Sequence, residues 1–328
     1  MTHANISIFV PHLGCPNQCS FCNQKHITST SLSPDAKSVE EAVQLAKNST
    51  KYNPSSTEIA FFGGSFTAIE REYMLTLLKS AKAFVDSGDV KGIRVSTRPD
   101  CIDDEILEIL KEHKVTAIEL GTQSLSDDVL NLNKRGHTAI DVENAVNLIK
   151  KWGFELGLQM MTGLYGDSAE KSVLTAKKII ELKPDTVRIY PTIVLKNTEL
   201  EKLYLEGKYK PQELTKAVTL CNRLRNMFED VGIRVIRVGL HSIDESSYVS
   251  GPWHPAFSEL CESERYLELM LSTLRETGEY NVYVSTTELS KAIGHKKSNI
   301  KKLADLGYKI NVFSKQNLDK YQLIVSKI

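Results

Sequence analysis

Short runs of β-branched and aliphatic residues alternate along most of the chain with longer stretches in which apolar positions recur every three or four residues. The short runs fall at 6–10, 58–62, 92–96, 116–120, 155–160 and 186–190, with 233–238 following. Helical periodicity covers 39–47, 72–85, 104–113, 140–151 and 168–182. Asp167 or Ser168 is placed to cap the last of these helices. Lys183-Pro184 ends it, because a residue before proline disfavours the helical conformation. Strands separated by single helices predict βαβ units around a parallel sheet. The number of units points to an α/β fold with a partial or full parallel (β/α) barrel, and a doubly wound open sheet is the alternative.

The C-terminal part departs from this pattern. After a helix around 264–276 the sequence reads as strand, helix, turn, helix and two further strands. That divides the chain into a barrel body with its extension at 1–278 and a small α+β module at 279–328. The whole chain has 328 residues with 41 Lys+Arg and 41 Asp+Glu. Neutrality excludes a uniformly basic nucleic-acid binder and a highly acidic disordered chain. The balance is local, however: the module carries nine Lys against four Asp+Glu, a net of +5, and the body a net of −5. No stretch approaches the roughly 18 apolar residues of a membrane span. The start has no basic segment leading into a long apolar one, so a cytoplasmic protein with no membrane partner is expected.

Six cysteines in a long chain without a leader point to metal or redox chemistry rather than disulfides. Three of them form Cys15-Pro-Asn-Gln-Cys19-Ser-Phe-Cys22, directly after the first strand. A structural zinc site wants four ligands, which His12 or His26 would have to complete. A [4Fe–4S] cluster on three thiolates instead leaves one iron open for an exogenous ligand, as a catalytic cluster needs. Cys101, Cys221 and Cys261 are scattered and read as ordinary buried thiols. Gly63-Gly64, within Phe61-Phe-Gly-Gly-Ser-Phe66, permits close backbone approach to a ligand, although a tight turn alone also explains it.

At CxxxCxxC, with Phe21 before the third cysteine, the chain resembles the radical S-adenosylmethionine (SAM) superfamily. The match is sharpened by Val95-Ser-Thr-Arg-Pro-Asp100, Glu119-Leu-Gly-Thr-Gln-Ser124 and Asn133-Lys-Arg-Gly-His-Thr138. Each lies at or just past a strand's C-terminal end, where barrel active sites gather. These segments are similar to the radical SAM domain of the Elongator catalytic subunit family, and more remotely to oxygen-independent coproporphyrinogen oxidase. The resemblance covers about residues 5–270.

The resemblance implies a [4Fe–4S] cluster on Cys15, Cys19 and Cys22 whose open iron binds SAM and cleaves it to a 5′-deoxyadenosyl radical. It places Phe21, Gly63, Gly64 and Ser65 around SAM, with Ser96 or Thr97 lining the same pocket. Gln123 and Gln159 face the ribose, Arg135 clamps the methionine carboxylate, and Tyr190 passes beside the adenine. Plainer readings stand beside these. Gln123 and Gln159 also suit a polar barrel interior, and Arg135 also suits a pair with Asp127 or Asp128. His137 and His254 are the candidate proton carriers; each is equally suited to orienting a loop. Trp253, in Gly251-Pro-Trp-His-Pro-Ala-Phe257, is placed to stack on a base or to pack in a lid. Two departures limit the likeness. The gap between the first two cysteines is shorter than in the Elongator family, and no acetyltransferase segment follows, so acetyl transfer is not carried over.

The tail's helix–Gly294-His-Lys-Lys297–helix order resembles a KH module, whose GXXG loop grips nucleotide backbone. Here the second glycine is absent. Gly294, Lys296, Lys297, Lys301 and Lys302 are the expected RNA contacts, and a solvated lysine face is the plainer reading. The expected function is a radical SAM enzyme that modifies structured RNA, tRNA or ribosomal RNA, with a ferredoxin or flavodoxin class of electron donor. The alternatives are a radical SAM enzyme acting on a porphyrin or other small molecule, and a non-catalytic cluster-carrying RNA-binding protein.

Overall fold

The strands are β1 (Ala4–Val10), β2 (Thr57–Gly63), β3 (Gly92–Thr97), β4 (Val115–Gln123), β5 (Glu155–Thr162), β6 (Thr186–Pro191), β7 (Val194–Leu195), β8 (Arg234–Val238), β9 (Tyr248–Ser250), β10 (Gly278–Ser285), β11 (Tyr308–Lys315) and β12 (Leu323–Lys327). The helices of the body are α1 (Ala36–Lys47), α2 (Arg71–Asp86), α3 (Asp104–Glu112), α4 (Asp127–Leu132), α5 (Ala139–Lys151), α6 (Ala169–Leu182), α7 (Glu199–Leu205), α8 (Leu214–Glu229) and α9 (Phe257–Thr273). Two more, α10 (Leu289–Ile293) and α11 (Ser298–Asp305), lie in the C-terminal module. The computed structural model describes residues 4–11, 15, 17–23, 33–240, 243 and 245–328. His12 and His26 lie outside the described residues.

Seven strands form one sheet in the order β1-β2-β3-β4-β5-β6-β8, every neighbouring pair parallel. The order follows the chain without reversing, which excludes the doubly wound alternative. β1 and β8 end the order without pairing to each other, so the barrel is partial.

Alternate residues of each strand pack outward against the helices. Ile59, Phe61, Ile93, Val95, Ile118, Leu120, Leu156, Leu158, Val187 and Ile189 are all buried in this layer. Helix ends follow from local chemistry. The Ser168 side chain accepts from Lys171 N at 3.2 Å and caps α6, and Lys183, in the left-handed conformation, ends it before Pro184. Asp167 instead accepts from Gly163 N and Ser172 Oγ. Sequence periodicity placed the last body helix around 264–276. It runs over Phe257–Thr273, starting directly after the Pro255-Ala256 turn.

The opposite, concave face of the sheet carries charge where apolar side chains would be ordinary. Glu58, Arg94, Glu119 and Arg188 stand on β2, β3, β4 and β6, all buried. Arg94 bonds Glu58 and Glu155 at 2.9 Å, and Arg188 Nε meets Glu119 at 2.7 Å. These alternating charges neutralise one another in a row across the barrel floor, as charges so poorly hydrated must.

β10, β11 and β12 form a separate three-stranded sheet in the order β11-β10-β12, with β10 parallel to β11 and antiparallel to β12. Its core takes Tyr266, Leu267, Met270 and Leu274 from α9, so the module closes on the last body helix rather than beginning cleanly after it. Glu262 of α9 fastens the two parts, meeting Lys291 and Lys320 of the module at 2.7 Å and Arg225 of the body at 3.1 Å. Burial alone would raise its pKa, but the hydrogen bonds from Lys291 and Lys320 outweigh this and hold it at about 2.

Candidate cofactor and substrate site

The cysteine loop follows β1 and lies at the C-terminal end of the sheet. Cys22 N donates to Cys19 O at 3.1 Å, closing a tight turn, and Ser20 Oγ anchors the loop on Asn133 at 2.7 Å. Cys19 is buried, and its Sγ receives an N–H from Arg135 at 3.0 Å. The other terminal nitrogen of Arg135 donates to Gly121 O at 2.7 Å, while its buried Nε finds no partner among the described residues. Arg98, also buried, is held bidentate by Asp100 and donates to the Arg135 carbonyl. Two guanidinium groups therefore stand behind the loop. Burial pushes the Cys15 thiol up, against a lowering backbone hydrogen bond at Ser65. Among the described residues no group of three or more His, Cys, Asp and Glu side chains is gathered at metal-ligand distance.

Gly63 ends β2 opposite this loop at φ +121°, a conformation that side chains rarely adopt. A Cβ there would lie 2.3 Å from Val10 O and 2.7 Å from the Phe9 ring. Gly64 N donates to Val10 O at 3.0 Å, so the glycine pair is stitched to β1. Gly63→Ala is expected to lower the free energy of unfolding by about 1–3 kcal/mol through strain at this turn. Urea denaturation monitored by circular dichroism measures it, and an unchanged midpoint would show that the turn accommodates a side chain.

A cavity of about 500 Å³ opens between the loop and the concave face of the sheet. Its polar wall includes Ser96, Glu119, Gln159, Arg188 and Tyr190, and its apolar wall includes Phe9, Phe21, Phe62 and Met161 together with Ile193 and Leu240. Arg188 lies over the Phe62 ring at 5.3 Å while paired to Glu119.

The expected site residues divide between this wall and a layer behind it. Phe21, Cys22, Gly63, Ser96, Gln159 and Tyr190 line the cavity. Gln159 Nε2 donates to Gln123 Oε1 at 3.1 Å, and Gln123 is buried at a left-handed φ of 65°. Gly121 permits this packing, since a Cβ there would come within 3.0 Å of Gln123 Nε2. Thr97 is turned away into a hydroxyl chain, bonding Ser65 at 2.8 Å and Thr67 at 2.6 Å. Arg135 does not pair with Asp127 or Asp128. Asp127 accepts from Ala139 N, and Asp128 is paired with Lys171.

The two histidines stand away from the cavity wall. His137 is 2% exposed, with Nε2 3.3 Å from Thr122 O. Burial, reinforced by the charge of Arg135, pushes its pKa down to about 4. His254 Nδ1 accepts from Ala256 N at 3.1 Å, and its ring meets His295 of the module edge-on at 5.4 Å. Trp253 packs against Tyr248 at 5.9 Å.

Glu119 and Arg188 were missed among the site residues. Their signal was present: each is a charge on the cavity-facing alternation of its strand, and Arg188 is two residues from Tyr190.

The family model of the radical SAM superfamily matches residues 9–179, the stretch that carries the cysteine loop, the glycine turn and most of the cavity wall. The chain belongs to the radical SAM superfamily. The radical SAM C-terminal domain model matches residues 184–268, across the rest of the barrel and most of α9. Uncharacterized protein MJ0486 of Methanocaldococcus jannaschii is 29% identical over 253 residues, covering 74% of this chain and 77% of its own. A tRNA uridine(34) acetyltransferase of Dehalococcoides mccartyi is 26% identical over 239 residues, covering 63% of this chain and 52% of its own, so the chain spans about half of that relative. An archaeal Elp3 structure from Methanocaldococcus infernus, lacking its N-terminus, shares the fold at a TM-score of 0.66 and 22% identity, over 85% of this chain and 66% of that one. The cofactors of the radical SAM superfamily are a [4Fe–4S] cluster and SAM. The residues present fit them. A thiol loop backed by Arg98 and Arg135 suits an anionic thiolate centre, and the unpartnered Nε of Arg135 leaves a buried donor unsatisfied.

Proposed function

We propose that this radical SAM protein is an enzyme that modifies structured RNA, tRNA or ribosomal RNA. The observation that carries the proposal is the pairing of a radical SAM site with a basic module whose exposed lysines are not neutralised. Lys296, Lys297 and Lys301 are exposed and form no ion pair among the described residues. Lys302 is tied to Glu264 at 3.0 Å, which removes it from the free set. Lys296 and Lys297 are both left-handed, at φ 52° and 61°, and lead into α11 without a side-chain cap. The kinship with a tRNA uridine(34) acetyltransferase supports the RNA reading. The helix–Gly294-His-Lys-Lys297–helix order supports a KH-like use of the module.

In this reading Cys15, Cys19 and Cys22 would hold the cluster, which when bound would supply the electron for reductive cleavage of SAM. Arg135 steadies the Cys19 sulfur and offers its spare Nε to the charge in front of it. Gly63 would let the β2 backbone come close to SAM, and Ser96, Gln159 and Tyr190, which line the cavity, would orient it. Phe9, Phe62, Met161 and Leu240 exclude water, which protects a reactive intermediate. Glu119 and Arg188 neutralise each other and hold a fixed dipole toward the substrate.

Nucleoside mass spectra of RNA from cells with and without the gene test the proposal, and a profile unchanged across all RNA classes would sink it. Lys296→Glu with Lys297→Glu is expected to weaken RNA binding at least tenfold and to flatten its salt dependence by roughly 1.4 log units per log unit of salt. Filter binding across a salt series measures both. If the double variant turns over its substrate as the wild type does, the small-molecule alternative gains. Absence of 5′-deoxyadenosine from the reconstituted, reduced protein would favour the non-catalytic one.

A further inference from the structure

The C-terminal sheet buries one face and leaves the other open. Tyr280, Val282, Val284 and Ile310 point into the module core. The alternate residues face outward, and strand register lines them up in rows. Tyr283 of β10 stands between Phe313 of β11 and Ile324 of β12. The next row is Asn311, Asn281 and Ser326. The Tyr283 and Phe313 rings stack at 5.6 Å with 29° between their planes, and Phe313 and Ile324 are 46% and 40% exposed. Lys315 is exposed with its Nζ 5.9 Å from the Tyr283 ring, and Asn311 donates to Asn281 at 3.4 Å.

We propose that this open sheet face binds unpaired RNA by stacking bases on Phe313 and Tyr283, an inference that rests on the RNA reading above. An exposed aromatic platform is sequence-tolerant because every base has a π-face, and only splayed, single-stranded bases can reach it. The amides of Asn281 and Asn311 offer donors and acceptors to base edges. Lys315 supplies the cation for the adjoining phosphate, on a module whose net charge is +5. Charge also selects this occupant over a second copy. On this face the Lys309–Glu279 pair is neutral, so two such faces would set Lys315 against its own copy over an apolar row only three side chains wide, whereas RNA brings the complementary charge.

The platform is separate from the Lys296–Lys297 loop, so the two are tested separately. Fluorescence anisotropy of the full-length protein with a labelled mixed-sequence single-stranded oligoribonucleotide, and with its duplex, reads the affinity. Tyr283→Ala with Phe313→Ala is expected to weaken single-strand binding at least about tenfold. Tyr283→Phe with Phe313→Tyr keeps it within about twofold, which controls for folding. The wild type is expected to prefer the single strand over the duplex. Equal binding by the alanine double variant, or no single-strand binding by the wild type, overturns the platform. So does a wild-type dimer in sedimentation that the alanine variant dissolves, since the face then belongs to a second copy. An unchanged cellular nucleoside profile with intact single-strand binding overturns the modification reading and leaves the platform standing.

Discussion

Replacing Cys15, Cys19 and Cys22 together by serine is expected to abolish iron and acid-labile sulfide incorporation, and with it all formation of 5′-deoxyadenosine from SAM. The three thiols sit on one short loop after β1, where Arg135 donates a hydrogen bond to Cys19 Sγ at 3.0 Å. Serine keeps the volume but binds iron poorly and gives Arg135 a neutral oxygen instead of a thiolate. Colorimetric iron and sulfide assays after anaerobic reconstitution read the first effect, and chromatographic detection of 5′-deoxyadenosine reads the second. The barrel should remain folded, because its core is made of strand and helix residues away from this loop. If the triple variant retains a full complement of iron and sulfide, the assignment of the cluster to these residues fails.

Arg94→Met is expected to destabilise the protein by about 3–5 kcal/mol, the usual cost of leaving buried charges without their partner. Arg94 is 2% exposed, and Glu58, which it holds at 2.9 Å, is completely buried. Removing the guanidinium leaves the Glu58 carboxylate buried without its counter-charge, held by the Thr116 hydroxyl at 3.1 Å, and deprives Glu155 of one of its two arginines, the other being Arg234 at 3.4 Å. Glu119 is less affected, because Arg188 still pairs with it. Adding Glu58→Gln to Arg94→Met should therefore recover part of the loss, while Glu58→Gln alone should not stabilise. Urea unfolding of the three variants measures these differences. A loss under about 1 kcal/mol for Arg94→Met would mean that water reaches the floor and that its charges are not locked.

The sheet was legible because parallel strands buried on both faces show as compact apolar runs, and the helices between them show a different period. The capping residues of α6 were legible for the same local reason, since Ser168 needs only its own helix to find its bond. The pair β7 and β9 was not legible, because strands of two and three residues carry no period and are held by a pairing between Val194 and Ser250 far apart in the chain. Helix α8 was passed over although it supplies the crossover from the β6 side of the sheet to β8. His137 was legible as a member of a motif but not as a buried ring. Its environment comes from Thr122, Asp100 and Arg135, which meet only in the folded chain.

The motifs made of contiguous residues were legible in the sequence alone: three cysteines on one loop, a glycine pair at a strand end and a lysine-rich turn between two helices. They are local, because spacing along a few residues defines them. The tertiary structure decided which charges are free and which are spent. It joined Lys302 to Glu264, Arg188 to Glu119 and Arg94 to Glu58, across separations that no local period records. It also assembled a cavity wall from Phe9 to Leu240 and brought Tyr283 beside Phe313. Strand register does this, and register is set by the burial of whole faces rather than by any residue's neighbours in the chain.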